Sequence, residues 1–422
     1  MRLLVLSQYF WPENFRVNDL VSALAQRGHD ITVLTGLPNY PDGHIFPEYR
    51  AAPERFSSYE GTQVVRVPLL PRGRGAVRLA LNYLSFVVTA STLGAWRLRG
   101  RRFDAVFVYQ PSPITSCLPA LVIGRLKRAP VMMWTLDLWP EALSVMGVVR
   151  SPVLLRLVGW LVTFIYRRCE FVLGTSRAFE QNVTHYSGDS KRFRYFPQWS
   201  ESLFGHHLET VEPAPEMRSF GETFKVLFAG NIGNAQDFPA ILDAAERLRH
   251  RAEVRWLVVG DGRAADWVRG EIARRDLSIQ VQLLGRHPIE RMPAFFRGAD
   301  ALLVTLKRDP GIASMIPSIA ATIPGKVQAY LTAGRPLIGM LDGEGARVIE
   351  ESGAGFTCEA GDSIGLAAQV EKMASLSSSE RAAMGARGIA YARREFDRDR
   401  LLAQLEEWLG QASSATLVRT GK

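Results

Sequence analysis

The sequence predicts an α/β protein made of two consecutive, doubly wound parallel sheets, and three observations carry that prediction. Short apolar runs rich in β-branched residues alternate with longer helical patterns, which is the signature of repeated βαβ units. The alternation breaks once, in a polar, proline-bearing stretch from about Glu201 to Glu222 that includes Pro213 and Pro215, and then restarts. With 422 residues, 47% hydrophobic and 22% charged, the chain has the length and ordinary globular composition of two or three domains.

In chain order, the first series of strands is LLVLS at residue 3, ITVLT at 31, DAVFVY at 104, PVMMW at 130 and EFVLG at 170. The second is KVLFAG at 225, VRWLVVG at 254, VQLLG at 281, DALLVT at 300 and PLIGM at 336. Each run is short and nearly continuous in its hydrophobicity, as parallel strands covered on both faces are. Two longer apolar segments, Leu79 to Trp96 and Val153 to Tyr166, read as helices. The first is diluted by Asn82, Ser85, Thr89, Ser91 and Thr92, which argues against a bilayer span. Arginines flank both segments (72, 74, 78, 97, 99, 101 and 102; 150, 156, 167 and 168), so each reads either as a helix lying in an anionic interface or as a core helix between basic loops. The tail from about Ser414 is small and polar and is expected to fray.

Charge and cysteine usage narrow the class further. Lys+Arg number 51 against 42 Asp+Glu, a net +9, and all but seven of the cations are arginine. Such an excess suits phosphate groups, nucleic acid or an acidic membrane. Cys117, Cys169 and Cys358 are far apart, so neither a zinc knuckle nor a disulfide framework is supported, and a reducing cytosol is the expected compartment. The N-terminal apolar stretch is too short for a signal peptide.

The loops at strand ends hold the candidate chemistry. FKVLFAGNIGNAQDF places Gly230, Asn231 and Gly233 between a strand and a helix expected to begin near Ala235, where backbone N–H groups and a helix N-terminus favour an anion such as a diphosphate. The same glycines are compatible with a purely steric turn, and VVGDGR (Gly260 to Arg263) reads foremost as a turn. In TIPGKVQAYLTAGRPLIG, Pro324-Gly325 punctuates the chain before a helix with Lys326 in its first turn, either a phosphate-neutralising charge or a solvated lysine. Glu13, Asp137 and Glu141 follow strands of the first half, where α/β ligands bind, so the three carboxylates are placed to share one cleft or, equally, to cap helices. His29 reads as a structural turn residue and His206-His207 lies in the linker; no metal ligand set emerges. Asp397-Arg398-Asp399 spells D-x-D, but its place before the last helix suits a cap better. No phosphate-binding P-loop motif occurs.

SQYFWPENFRVNDL, RGHDITVLTGLPNYPDGHIFPEYR, NYLSF, DLWPEAL, GNIGNAQ and PGKVQAYLTAGRPLI together resemble the family 4 retaining glycosyltransferases of GT-B fold. Within them the likeness, which runs from residue 1 to about 410, is to the bacterial fucosamine-transferase-like branch of surface-polysaccharide synthesis. The resemblance implies two Rossmann-like domains with an interdomain cleft: residues 1–205 binding the acceptor, residues 222–390 binding a UDP-sugar, and a C-terminal helix within 391–412 crossing back to the first domain. It implies transfer of a sugar, an N-acetylated amino sugar by the branch, to a lipid-linked saccharide, with retention of configuration and without metal or cofactor. On the donor side the implied residues are Gly230, Asn231, Gly233, Arg286, Ser318 and Lys326; on the acceptor side they are Glu13, Asn14 and Glu141; Asp137 and Lys326 are the catalytic pair. Placement at the cytoplasmic face of the inner membrane, with peripheral contact to anionic lipid and none to nucleic acid, completes the expectation.

One departure qualifies it. The family carries two glutamates eight positions apart, and counting back from Gly334 those places are Ala321 and Ala329. Ser318, Asp309 and Glu344 are nearby replacements. A UDP-sugar epimerase on the same fold and a catalytically silent scaffold subunit therefore stay open as alternatives.

Overall fold

The computed structural model describes residues 1–73, 75–145, 151–200, 202–204, 208–308 and 320–420. The chain forms two compact units, one of Met1–Pro197 together with Asp399–Lys422, the other of Gln198–Arg398.

The first unit holds strands β1 (Arg2–Leu6), β2 (Asp30–Gly36), β3 (Ser58–Tyr59), β4 (Thr62–Val67), β5 (Ala105–Gln110), β6 (Val131–Thr135), β7 (Phe171–Gly174) and β8 (Phe193–Tyr195). They form one sheet in the order β3-β4-β2-β1-β5-β6-β7-β8. All neighbours pair in parallel except the short β3–β4 hairpin. Leu3, Leu4, Val5 and Leu6 are all fully buried, as a strand covered on both faces requires. The strand order reverses between β1 and β5, so the loops leaving those two strands flank the point where such sheets bind ligands.

The second unit repeats the plan with β9 (Phe224–Ala229), β10 (Val254–Val259), β11 (Val281–Gly285), β12 (Ala301–Thr305), β13 (Leu337–Met340) and β14 (Gly355–Cys358), in the order β11-β10-β9-β12-β13-β14. Side-chain alternation divides its core into two layers. Val226, Phe228, Trp256 and Val258 enter one, while Leu227, Ala229, Leu257 and Val259 enter the other. The reversal here lies between β9 and β12, which brings the loop after β9 to the switch point.

The structure departs from the sequence reading in four respects. Strands β3, β4, β8 and β14 join the sheets although their short or polar-interleaved sequences carry no clear apolar run. The stretch around 201–222 is not structureless, since it holds single turns at Ser202–Phe204 and Leu208–Thr210 and a short helix at Pro215–Arg218. The helix after the glycine loop begins at Phe238 rather than near Ala235, because a 3-10 turn (Asn234–Gln236) and left-handed Asp237 (φ 49) come between. The last helix, Arg398–Thr420, continues past Ser414 instead of fraying there, with Ala412 fully buried.

That last helix belongs to the first unit. Leu402, Leu405 and Leu409 are fully buried, and Trp408 meets Phe196 with ring centroids 6.0 Å apart. Its Glu406 accepts from Arg27 at 2.8 Å and pairs with His29 Nε2 at 2.8 Å, so His29 anchors the helix. Asp399 of the D-x-D lies 4.0 Å from Arg27, and Asp397 directly precedes the helix.

Candidate functional site

The second unit presents a cleft of about 480 Å³ lined by the ends of β9, β10 and β11, namely Gly230, Asn231, Gly260, Asp261, Gly262 and Arg286 together with His287 and Met292. Two of these turns touch backbone to backbone. A Cβ at Gly260 (φ +148) would stand 1.9 Å from the Gly230 carbonyl oxygen, so only glycine permits the approach. The Ile232 amide donates to the Asp261 carbonyl at 2.8 Å and the Ala264 amide to the Ile232 carbonyl at 3.0 Å, which locks the two loops into one wall. VVGDGR, a plain turn by sequence, is thus half of the cleft, and only the three-dimensional stacking of the glycines reveals it.

Lys326 occupies the space above Gly230. A Cβ on Gly230 (φ +142) would meet the lysine Cε at 2.6 Å and Nζ at 2.9 Å. The ammonium sits 3.7 Å from the centroid of the Phe228 ring, a cation–π contact in an otherwise apolar setting. Among the described residues no carboxylate forms an ion pair with it, and burial lowers its pKa to about 7. The helix that supplies it, Gly325–Thr332, starts at Pro324, whose fixed φ suits a helix entrance. A half-desolvated cation therefore lies against Gly230, which lines the cleft, while Lys326 itself is not among the cleft's lining residues. Ser318 and Asp309 lie outside the described residues. Glu344, the third replacement candidate, is buried and clasped by Arg347 at 2.8 Å, while its amide donates to Ala320 at 2.7 Å beside Ala321. Ala321 is buried and Ala329 packs at the edge of a core cluster.

In the first unit the three carboxylates take different surroundings. Glu13 is buried and accepts three backbone N–H groups, from Phe10 at 3.1 Å, Asn39 at 2.8 Å and Tyr40 at 2.7 Å. Burial raises its pKa to about 7 against the pull of those donors. It fastens the loop after β1 to the Pro38-Asn39-Tyr40-Pro41 loop after β2, and Asn14 beside it is exposed. Among the described residues none hydrogen-bonds the Asp137 carboxyl, which burial raises to about 6. It lies near Tyr83 and Tyr109, whose hydroxyls are raised by burial first and by Asp137 in addition, with Ser112 and Arg72 also beside Tyr83. Stacked Tyr9 and Phe15 (5.5 Å) and Tyr40, over which Arg72 lies at 5.3 Å, extend an aromatic surface there. Glu141 instead sits beside Asn182, His185 and Tyr186 of the Phe179–Ser187 helix, and burial raises its carboxyl. Thus Asp137 is an acid near the Tyr83 and Tyr109 hydroxyls, Glu13 a fastener, and Glu141 a neighbour of a different helix. Tyr83 and Arg72 carry no local motif, and only the fold brings them to Asp137.

Comparison with known proteins follows the same division. Residues 14–199 match the family described as Glycosyl transferase 4-like domain, and residues 223–375 match Glycosyl transferases group 1. WbjE from Pseudomonas aeruginosa, named as a glycosyltransferase, is 24% identical over 286 residues, covering 66% of this chain and 68% of that protein. WcaI from Escherichia coli strain K12, named as a colanic acid biosynthesis glycosyl transferase, is 25% identical over 348 residues, covering 79% and 82%. The crystal structure of Anabaena HepE in complex with UDP superposes with a TM-score of 0.67 at 17% identity, over 97% of this chain and 100% of that one. With both halves matched in order and both sheets of the expected topology, the chain belongs to the family 4 glycosyltransferases and has the two Rossmann-like domains of the GT-B fold.

Proposed function

We propose that this protein transfers a sugar from a UDP-sugar held by the second unit to a lipid-linked saccharide held by the first, in the synthesis of O-antigen, capsule or exopolysaccharide. The observation that carries the reading is Lys326 over Gly230: a desolvated ammonium at a glycine-lined strand end suits a leaving diphosphate, whose developing charge it would meet directly. Gly230, Asn231 and Arg286 then surround the donor, whereas Gly233 lines a separate hollow with Asn234, Asp237 and Lys307, and positive charge from this chain replaces a bridging cation. Asp137, a raised carboxyl near Tyr83 and Tyr109, is the group suited to receive the acceptor's proton. The reading takes retention of configuration and an N-acetylated amino sugar from the family branch that the sequence resembles. The name of the Escherichia coli relative, a colanic acid biosynthesis glycosyl transferase, supports a role in surface polysaccharide.

Attachment at the cytoplasmic face of the inner membrane is part of the proposal. The crossovers from β4 to β5, β5 to β6 and β6 to β7 all run the same way across the sheet, so right-handed connections put their helices on one face. On that face Val77, Leu81, Leu84 and Val88 of the Ala76–Thr89 helix are exposed at i, i+4, i+7 and i+11. Val153, Leu157, Trp160 and Phe164 repeat the spacing on the Pro152–Tyr166 helix, with Val122 and Leu126 exposed on the Leu118–Lys127 helix. One helical run among the described residues, Val77–Arg97, is long and apolar enough to cross a membrane. Its inner side argues for lying flat: Phe86 and Ala90 are fully buried, and buried Asn82 bonds Gln8 at 2.8 Å and the Leu70 carbonyl at 2.6 Å. Of the flanking arginines, Arg97 and Arg101 are tied inward to the Arg66 carbonyl and Thr32, whereas Arg99 stacks on Trp96 and Arg102 is exposed.

The test is UDP release by purified protein from a panel of UDP-sugars, with and without a lipid-diphosphate saccharide, and NMR of the product's anomeric configuration. Release that requires no acceptor, or an inverted linkage, would overturn the reading. The alanines at 321 and 329 favour a second one, a donor-binding subunit without turnover. UDP binding without transfer to any acceptor would select it.

A further inference from the structure

The Pro152–Tyr166 helix carries a second stripe beside its apolar one. At about 100° per residue, positions 153, 157, 160 and 164 fall within about 60° of one another, and positions 156, 159, 163 and 167 within about 80°, centred about 85° further round. Val162, Ile165 and Tyr166 are buried on the side opposite the apolar stripe; of the second stripe Gly159 is buried, while Arg156 and Arg167 at its two ends are exposed. The second stripe faces the Phe179–Ser187 helix across a bowl of about 290 Å³ walled by Arg156, Arg167, His185 and Tyr186, with Gly159 at its floor and Trp160 at its rim. Gly159 is what opens the bowl, because a Cβ there would stand 3.3 Å from Tyr186 Cε1.

We propose that this bowl binds the phosphate headgroup of an anionic membrane phospholipid, holding it between Arg156 and Arg167 while the adjoining apolar stripe enters the acyl layer. The inference rests on the membrane reading above and goes beyond it: the contact is a built site, not only a charged surface. Charge complementarity argues for this occupant. Arg156 and Arg167 are both exposed and have no acidic partner among the described residues, while His185 and Tyr186 add donors. Among the described arginines that flank the two apolar helices, Arg97 and Arg101 are tied to the Arg66 carbonyl and Thr32, Arg99 lies on Trp96, and Arg168 lies on Phe164 with its guanidinium 3.7 Å from the ring centroid. Thr163 is satisfied by the Gly159 carbonyl at 2.9 Å and asks nothing of a ligand. No carboxylate lines the bowl; Glu141 stands beside Tyr186, and its burial disfavours the ionised form. Trp160, 65% exposed on the border of the two stripes, is an amphipathic ring at the depth where headgroup meets acyl chain.

The experiment is co-sedimentation of the full-length protein with phosphatidylcholine vesicles and with vesicles containing phosphatidylglycerol, comparing wild type, Arg156→Gln/Arg167→Gln, and the charge-matched control Arg99→Gln/Arg102→Gln. Both pairs remove two charges, so screened attraction falls alike. The site predicts a loss for the first pair about tenfold beyond the control, since charge-assisted hydrogen bonds in a formed pocket exceed surface attraction. Arg156→Lys/Arg167→Lys should recover part of it, and brominated phosphatidylglycerol should quench fluorescence that is missing in Trp160→Phe. Thermal melts of all variants exclude misfolding as the cause. Equal losses in the two pairs would overturn the pocket while leaving the membrane reading intact; no vesicle binding by wild type would overturn both. Binding of free glycerol phosphate with the same arginine dependence, but no vesicle preference, would overturn the lipid as occupant.

Discussion

Replacing Lys326 by methionine should make the protein more stable and less able to bind its donor, and the two effects share one cause. The side chain's pKa falls from 10.5 to about 7, and at about 1.4 kcal/mol per pH unit that is a ceiling of about 5 kcal/mol for the desolvated ammonium. The side chain keeps part of its exposure, and methionine gives up the cation–π contact with Phe228, so about 1–3 kcal/mol is the expected net gain. The sign follows from protons. Between pH 7 and 10.5 the unfolded chain holds the lysine proton that the folded chain has released, so wild-type stability rises with pH across that window. The advantage of Lys326→Met is therefore full below pH 7 and shrinks as pH climbs. For a domain of this size each kcal/mol moves the melting midpoint by about 2–4 °C. Melting curves at pH 6 and pH 9 read the difference directly. Calorimetry of UDP binding at pH 8 in buffers of different ionisation enthalpy reads the other half: wild type should take up nearly one proton as the diphosphate restores the ammonium, and Lys326→Met none. Turnover should fall by about 10²-fold, the loss of one preorganised charge contact. A variant that melts lower than wild type by the same margin at both pH values, or wild-type binding without proton uptake, would refute the reasoning.

Glu13→Ala should cost about 3–9 kcal/mol in urea unfolding, because two buried and one part-buried backbone donors lose their acceptor at about 1–3 kcal/mol each, whereas Glu13→Gln should cost less. Asp137→Asn should abolish most transfer without lowering the melting midpoint, and the acidic limb of the wild-type rate profile should have its midpoint near the raised value of about 6, activity growing as the carboxyl ionises. Chelation by EDTA should leave transfer unchanged, and Asp397→Ala should cost about 1 kcal/mol of stability rather than activity, as a lost helix cap does. High salt should release part of the membrane-bound protein, since exposed charges are screened beyond about 8 Å at physiological ionic strength, and resistance to both salt and carbonate would show deep insertion of the Val77–Arg97 run instead.

What was legible in the sequence was whatever depends on local pattern. The ten apolar runs are strands because continuous hydrophobicity and β-branching act over five residues at a time. TQVVRV escaped because Gln63 and Arg66 interrupt its apolar run. In the fold Arg66 is buried, and its guanidinium serves the carbonyls of Phe56, Gly36 and Trp11, partners spread from position 11 to 56. The site was legible in its nouns but not in its relations. Lys326 and Gly230 were each visible, yet their contact spans 96 positions and depends on how β9 and the Gly325–Thr332 helix meet. Likewise Glu13, Asp137 and Glu141 share the same setting after a strand, and sequence has no term for the direction in which each side chain turns.

The return of the chain to its first unit sets a schedule for biosynthesis. Strands β1 to β8 leave the ribosome as one block, but the helix that covers Phe196 and pairs with Arg27 and His29 comes after the 201 residues of Gln198–Arg398. At about 5–20 residues per second, that hydrophobic seat stays uncovered for roughly 10–40 s, while the whole second unit is made and can fold by itself. Nascent chains should therefore recruit chaperones at this seat, and a fragment ending at Pro197 should be far more prone to aggregate than its own composition suggests.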